Sequence, residues 1–97
     1  MQHLVDAVRS VGAKNVILVG GLAYSNDLSQ WLKWVPSDPI KQLTASAHLY
    51  NFNWCNNRNC WESTLQPIAQ QYPLIIGEFG SNDCLGDYSR QLADWYT

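Results

Sequence analysis

One carboxylate stands out. Glu78 directly follows the apolar run Leu74-Ile75-Ile76-Gly77 and precedes Phe79-Gly80. A charge at the end of a buried run is expensive unless it is paired or faces solvent. Gly77 and Gly80 bracket it and let backbone approach closely. His48 and Tyr50 alternate in Ser46-Ala47-His48-Leu49-Tyr50-Asn51-Phe52. On an extended chain both point to one side and Leu49 to the other. A tyrosine hydroxyl donates to a carboxylate and favours its charged form, and a histidine orients a carboxylate or binds a substrate hydroxyl. Plainer readings compete: a merely solvated glutamate at 78, and a core imidazole at 48 satisfied by backbone. Finding all three at the ends of neighbouring strands favours chemistry.

Strands and helices must position these groups. Leu4, Val5, Val8 and Val11 recur at helical spacing, which predicts an amphipathic helix over 2–12 closed by Gly12. The run Asn15 to Gly21 reads as a strand buried on both faces. Leu28 to Val35 reads as a short helix, capped by Asn26 or Asp27 and stopped by Pro36. Thr44 to Phe52 is a second strand. Trp61 to Tyr72 is a helix that Pro67 must kink or delay. Leu74 to Gly77 is a third strand, and Ser89 to Tyr96 a final helix. The order α-β-α-β-α-β-α predicts a single α/β domain over 1–97 with a parallel sheet. Units of roughly 30 residues are the usual size of a βα repeat.

Two architectures fit this order: a doubly wound sheet, or part of a (β/α)8 barrel. In a barrel, functional residues cluster at the C-terminal ends of the strands. Here those ends read Ala23-Tyr24-Ser25-Asn26, His48-Leu49-Tyr50-Asn51 and Glu78-Phe79-Gly80-Ser81. No GxGxxG follows the first strand, so the dinucleotide fingerprint is missing. The partial barrel is the better reading, with about three βα units. A whole barrel takes about 250 residues, against 97 in this chain.

Composition narrows the function classes. Hydrophobic residues form 46% and charged residues 14%, with a formal charge of -2. That excludes a disordered polyelectrolyte, and it leaves no basic footprint for nucleic acid or an anionic membrane. No apolar run approaches the roughly 20 residues of a membrane span. The opening Met1–Asp6 lacks the character of a secretion signal. Cys55 and Cys60 flank the polar loop Asn56-Asn57-Arg58-Asn59, which a disulfide would close, while Cys84 has no evident mate. The cysteine spacing is not that of a zinc site, and no metal or cofactor is called for. Five Trp and five Tyr suit both a core and a sugar site, where rings stack on the apolar face of a pyranose.

The segments Ser46–Phe52 and Pro73–Gly80 resemble the sixth and seventh strands of glycoside hydrolase family 5, which includes many cellulases and endo-β-glucanases. Val19–Ser25 through Asp27–Trp31 is similar to its fifth strand and following loop. The resemblance covers essentially the whole chain. His-x-Tyr and Gly-Glu-x-Gly are each weak motifs, but both in this order, about 28 residues apart, are fairly specific. The resemblance implies that Glu78 is the nucleophile of a retaining mechanism, that Tyr50 hydrogen-bonds it, and that His48 contacts the sugar. It implies Tyr24, Trp54 and Trp61 as sugar-stacking residues, β-glucan or cello-oligosaccharide as the ligand, and an extracellular setting.

The chain also departs from the family. Its acid/base glutamate follows an asparagine on the fourth strand, and no Asn-Glu pair occurs here. The family's early-strand Arg, third-strand His and last-strand Trp have no counterpart either. A Cys84 partner would lie near the eighth strand. Two functions therefore stay open: a glycosidase fragment whose missing half is supplied from elsewhere, or a carbohydrate-binding module or relic using aromatic loop residues. Unpaired sheet edges predict a homo-oligomer that rebuilds a barrel-like enclosure.

Overall fold

A computed structural model describes all residues 1–97. The chain runs through α1 (Gln2–Ser10), β1 (Ile17–Val19), α2 (Trp31–Trp34), β2 (Leu43–Tyr50), α3, β3 (Leu74–Gly80) and α4 (Asp87–Tyr96). The helical stretch α3 has three parts: Arg58–Cys60, Trp61–Leu65 and Gln66–Ala69. The three strands lie in the order β1-β2-β3, all parallel. This mixed α/β arrangement is consistent with part of a (β/α)8 barrel.

β2 is central, and its side chains alternate between two faces that are both buried as far as Ala47. Leu43, Ala45, Ala47 and Leu49 are buried and join Val5, Val19, Trp31, Trp61, Leu65, Ile68 and Leu92 in one core. Both alanines are fully buried, and their small side chains let the helix layer approach the sheet. The other face carries Leu18 opposite Thr44 and Ile75 opposite Ser46. Leu18 on that face is 55% exposed, while the short side chains of Thr44 and Ser46 at its centre are buried. β1 is therefore buried on one face only, contrary to the expectation of two.

Other elements differ from the sequence reading in instructive ways. α1 ends as expected before Gly12, which takes φ +77°, but only Val5 of its apolar stripe is buried; Leu4 and Val11 are exposed. The expected helix over 28–35 shortens to α2, because Asp27 caps the Ser29 N–H within a turn (2.9 Å) rather than opening a helix. α3 begins before Trp61, where the Asn57 side chain accepts from the Cys60 N–H (3.1 Å). Pro67 does not delay that start. Its ring crowds the carbonyl four residues back. The preceding turn widens to i−5 bonding, with Gln66 N–H reaching the Trp61 carbonyl. β3 extends through Gly80, so Glu78 lies within the strand rather than after it.

Arg9 ties the first helix to the loops that lead into β1 and β2. Its guanidinium meets both carboxylate oxygens of Asp38 (2.9 Å each) and donates to the carbonyls of Ala13 and Asn15 (2.8 and 3.0 Å). The hydrogen bond from Arg9 holds the Asp38 carboxyl well below the usual carboxylate range, helped by the N–H groups of Gln42 and Ile40. A carboxyl depressed on folding contributes stability above its unfolded value of about 3.9, and that contribution is lost as pH falls from there toward the folded value. Asp38→Asn is expected to lower stability at neutral pH and to flatten its decline on acidification, read from urea midpoints across pH; an unchanged acid slope contradicts this.

Tyr88 on α4 packs edge-on against Trp61 (centroids 5.9 Å) and is 8% exposed. Its hydroxyl has no hydrogen-bond partner, and burial pushes its pKa up to about 12. A stranded buried hydroxyl costs about 1–3 kcal/mol. Tyr88→Phe is therefore expected to raise the denaturation midpoint, by about 1 kcal/mol in stability; a midpoint that stays level or falls would count against a stranded hydroxyl.

Candidate active site

The ladder between β2 and β3 is irregular at one point, between Ala47 and His48. Ala47 pairs with Ile76, and His48 pairs with Glu78, so Gly77 is an extra residue in β3. Such a bulge re-aims the side chain that follows it. Glu78 consequently lies beside His48, on the open face of the sheet. Tyr50, two residues on, lies opposite Gly80, where a side chain would meet the phenol ring at 3.3 Å.

Two groups converge on one carboxylate oxygen. The Tyr50 hydroxyl donates to Glu78 Oε2 at 3.1 Å, and His48 Nδ1 lies 3.4 Å from the same atom. No hydrogen bond engages Oε1. Donation to Glu78, then burial, then the carboxylate charge raise the Tyr50 phenol pKa above its ordinary value, because each favours the protonated phenol. The Glu78 side chain remains half exposed, and that of His48 is a quarter exposed. The arrangement presents one oriented carboxylate with a free oxygen at the C-terminal end of a parallel sheet, the end that carries chemistry in barrel enzymes.

Asparagines hold the rim. Asn51 Nδ2 donates to Asn82 Oδ1 (2.9 Å) and Asn51 Oδ1 accepts from the Asn82 N–H (3.1 Å), fastening the β2 and β3 ends beside the Tyr50–Glu78 contact. Asn53 and Asn26 bond through their side chains and join the loops after β2 and β1. Phe52 stacks on Tyr50 (centroids 5.2 Å, planes 21° apart). Sequence patterning singled out neither these asparagines nor Phe52 as site residues. Phe52 sits two residues beyond Tyr50 on the same alternation, and that spacing was the available signal.

The expected aromatic platforms separate. Tyr24 is 93% exposed, on a turn where Ala23, Tyr24 and Ser25 all take positive φ (48°, 57° and 65°). Paired backbone bonds between Leu22 and Asp27 (2.9 and 3.1 Å) close that turn. Trp54 is 53% exposed. Trp61 corrects the expectation. It is 1% exposed, donates its indole N–H to the Cys55 carbonyl (3.0 Å) and packs against Tyr88 and Trp95. A ring enclosed on both faces has none left for a sugar. Cys55 and Cys60 form a disulfide with Cα atoms 5.3 Å apart, and Cys84 is free and exposed.

Two apolar grooves flank the sheet. One, of about 340 Å³, runs along β1 between Val19, Leu22, Trp31 and Trp34; the other, of about 270 Å³, runs along β3 between Ile75, Phe79, Leu92 and Tyr96. Neither includes Glu78.

Compared with known protein families, the chain matches the model for Cellulase (glycosyl hydrolase family 5) over residues 1–97. No curated protein and no solved structure matches it.

If Glu78 is what raises the Tyr50 phenol, Glu78→Gln returns that phenol toward its ordinary pKa of about 10. NMR titration of ring-labelled tyrosines, with Tyr50→Phe for assignment, reads this directly; an unmoved Tyr50 would break the pairing.

Proposed function

The chain belongs to glycosyl hydrolase family 5, and from that premise we propose that Glu78 is the nucleophile of a retaining site acting on β-glucan. The convergence of Tyr50 and His48 on Oε2, which leaves Oε1 unengaged, is the observation that carries this reading. Oε1 attacks the anomeric carbon as the glycosidic bond breaks, giving a glycosyl–enzyme ester that water then hydrolyses. The Tyr50 hydroxyl holds Oε2 and so fixes the carboxylate rotamer, leaving Oε1 as the attacking atom. His48 Nε2 makes no hydrogen bond within the chain and is left for a sugar hydroxyl at the cleavage point. Tyr24 and Trp54 are the stacking platforms.

The leaving oxygen needs a proton, and the donor in a retaining pair sits about 5–5.5 Å from the nucleophile. No second carboxylate joins the Glu78 cluster. Glu62 is paired with Arg58 (2.7 Å). Asp83 accepts from the Leu85 N–H and the Ser81 hydroxyl, which hold it below the ordinary carboxylate range and make it a poor acid. The general acid therefore lies outside the carboxylates of residues 1–97 in a single copy. A second copy docking on the unpaired edges of β1 and β3 is the partner we favour, since both edges carry open apolar grooves.

A second reading is favoured by the exposure of Tyr24 and Trp54: a carbohydrate-binding module or relic that holds glucan without cleaving it. Release of reducing ends from cello-oligosaccharide separates the two. Hydrolysis that Glu78→Ala lowers at least 10³-fold, by an assembly larger than a monomer in sedimentation, is the expected outcome. Binding without cleavage, unaffected by Glu78→Ala but weakened several-fold by Tyr24→Ala or Trp54→Ala, supports the module instead. A compact monomer at high micromolar concentration refutes self-association.

A further inference from the structure

Leu74 and Ile76 pack toward the helix layer. A regular strand would carry Glu78, two residues further on, to that same side. The register shift prevents this by leaving Gly77 without a partner of its own. Gly77 also faces a crowded spot. A Cβ there would lie 2.8 Å from Ser46 Oγ and 3.6 Å from both Cδ2 and Nε2 of the His48 ring. Ser46 itself is buried. A serine hydroxyl can turn away from one methyl, but a branched side chain would press on the imidazole as well.

We infer that Gly77 is a positioning residue for the Glu78 cluster. As the extra residue of the bulge it turns the carboxylate to the open face, and its missing side chain keeps β3 close enough to β2 for His48 and Tyr50 to reach one oxygen. The functional weight of this inference rests on the nucleophile reading above, while its geometry does not.

The test replaces the glycine and reads the cluster without using catalysis. Gly77→Ala and Gly77→Val are compared with the unaltered chain and with Glu78→Gln by NMR titration of the Tyr50 phenol. The high Tyr88 titration serves as an internal report that the core is folded. Gly77→Ala is expected to stay near the unaltered chain. Gly77→Val is expected to bring Tyr50 down to the Glu78→Gln value while Tyr88 stays high. A folded Gly77→Val whose Tyr50 remains raised overturns the proposal. So does a Glu78→Gln that leaves Tyr50 unmoved, since there is then no pair to position. If Gly77→Val loses the Tyr88 signal, Gly77→Ser takes its place with the same two outcomes. Should Tyr50 respond as expected while no form releases reducing ends, the positioning role stands and the hydrolase reading falls.

Discussion

An unpaired carboxylate pressed into an apolar helix layer costs several kcal/mol, and a strand with strict alternation would put Glu78 there. Leu74 and Ile76 already point that way. The single irregularity in the β2–β3 ladder removes the conflict by inserting one residue. The geometry of the rim depends on it. With Glu78 beside His48, the phenol two residues along can donate to the same oxygen. The asparagine bonds beyond then fasten the two strand ends at that spacing. Glycine at 77 and at 80 leaves room for the imidazole on one side and the phenol on the other.

Much of the scaffold was legible. The α-β alternation, the parallel order and the shared face of His48 and Tyr50 followed from periodicities of 3.6 and 2. The bulge was not, because register is a property of two strands and neither Leu74–Gly77 nor Ser46–Phe52 encodes it alone. The widened turn in α3 was half legible: Pro67 announced a disturbance but not its form. Strand ends moved by a few residues because terminal pairing depends on neighbours rather than on propensity.

The aromatic residues divided in a way that composition could not predict. Trp54 and Trp61 are seven residues apart on the same connection, yet one faces solvent and the other fills the core. What separates them is the Cys55–Cys60 link and the helix that starts within it, which turn Trp61 inward against Tyr88 and Trp95. Exposure of Leu18 and of the α1 stripe has the opposite origin: an apolar pattern written for contacts that residues 1–97 do not make among themselves.

The turn that holds Tyr24 bears on conformational entropy. Three successive non-glycine residues in left-handed conformation sit in a shallow and costly region of backbone space, and the Leu22–Asp27 bridge keeps them there. The backbone freedom that a flexible loop would surrender on meeting a flat ligand is gone before the encounter. In the proposed role of Tyr24 as a sugar platform, only rotation of the exposed side chain would remain to be ordered on contact.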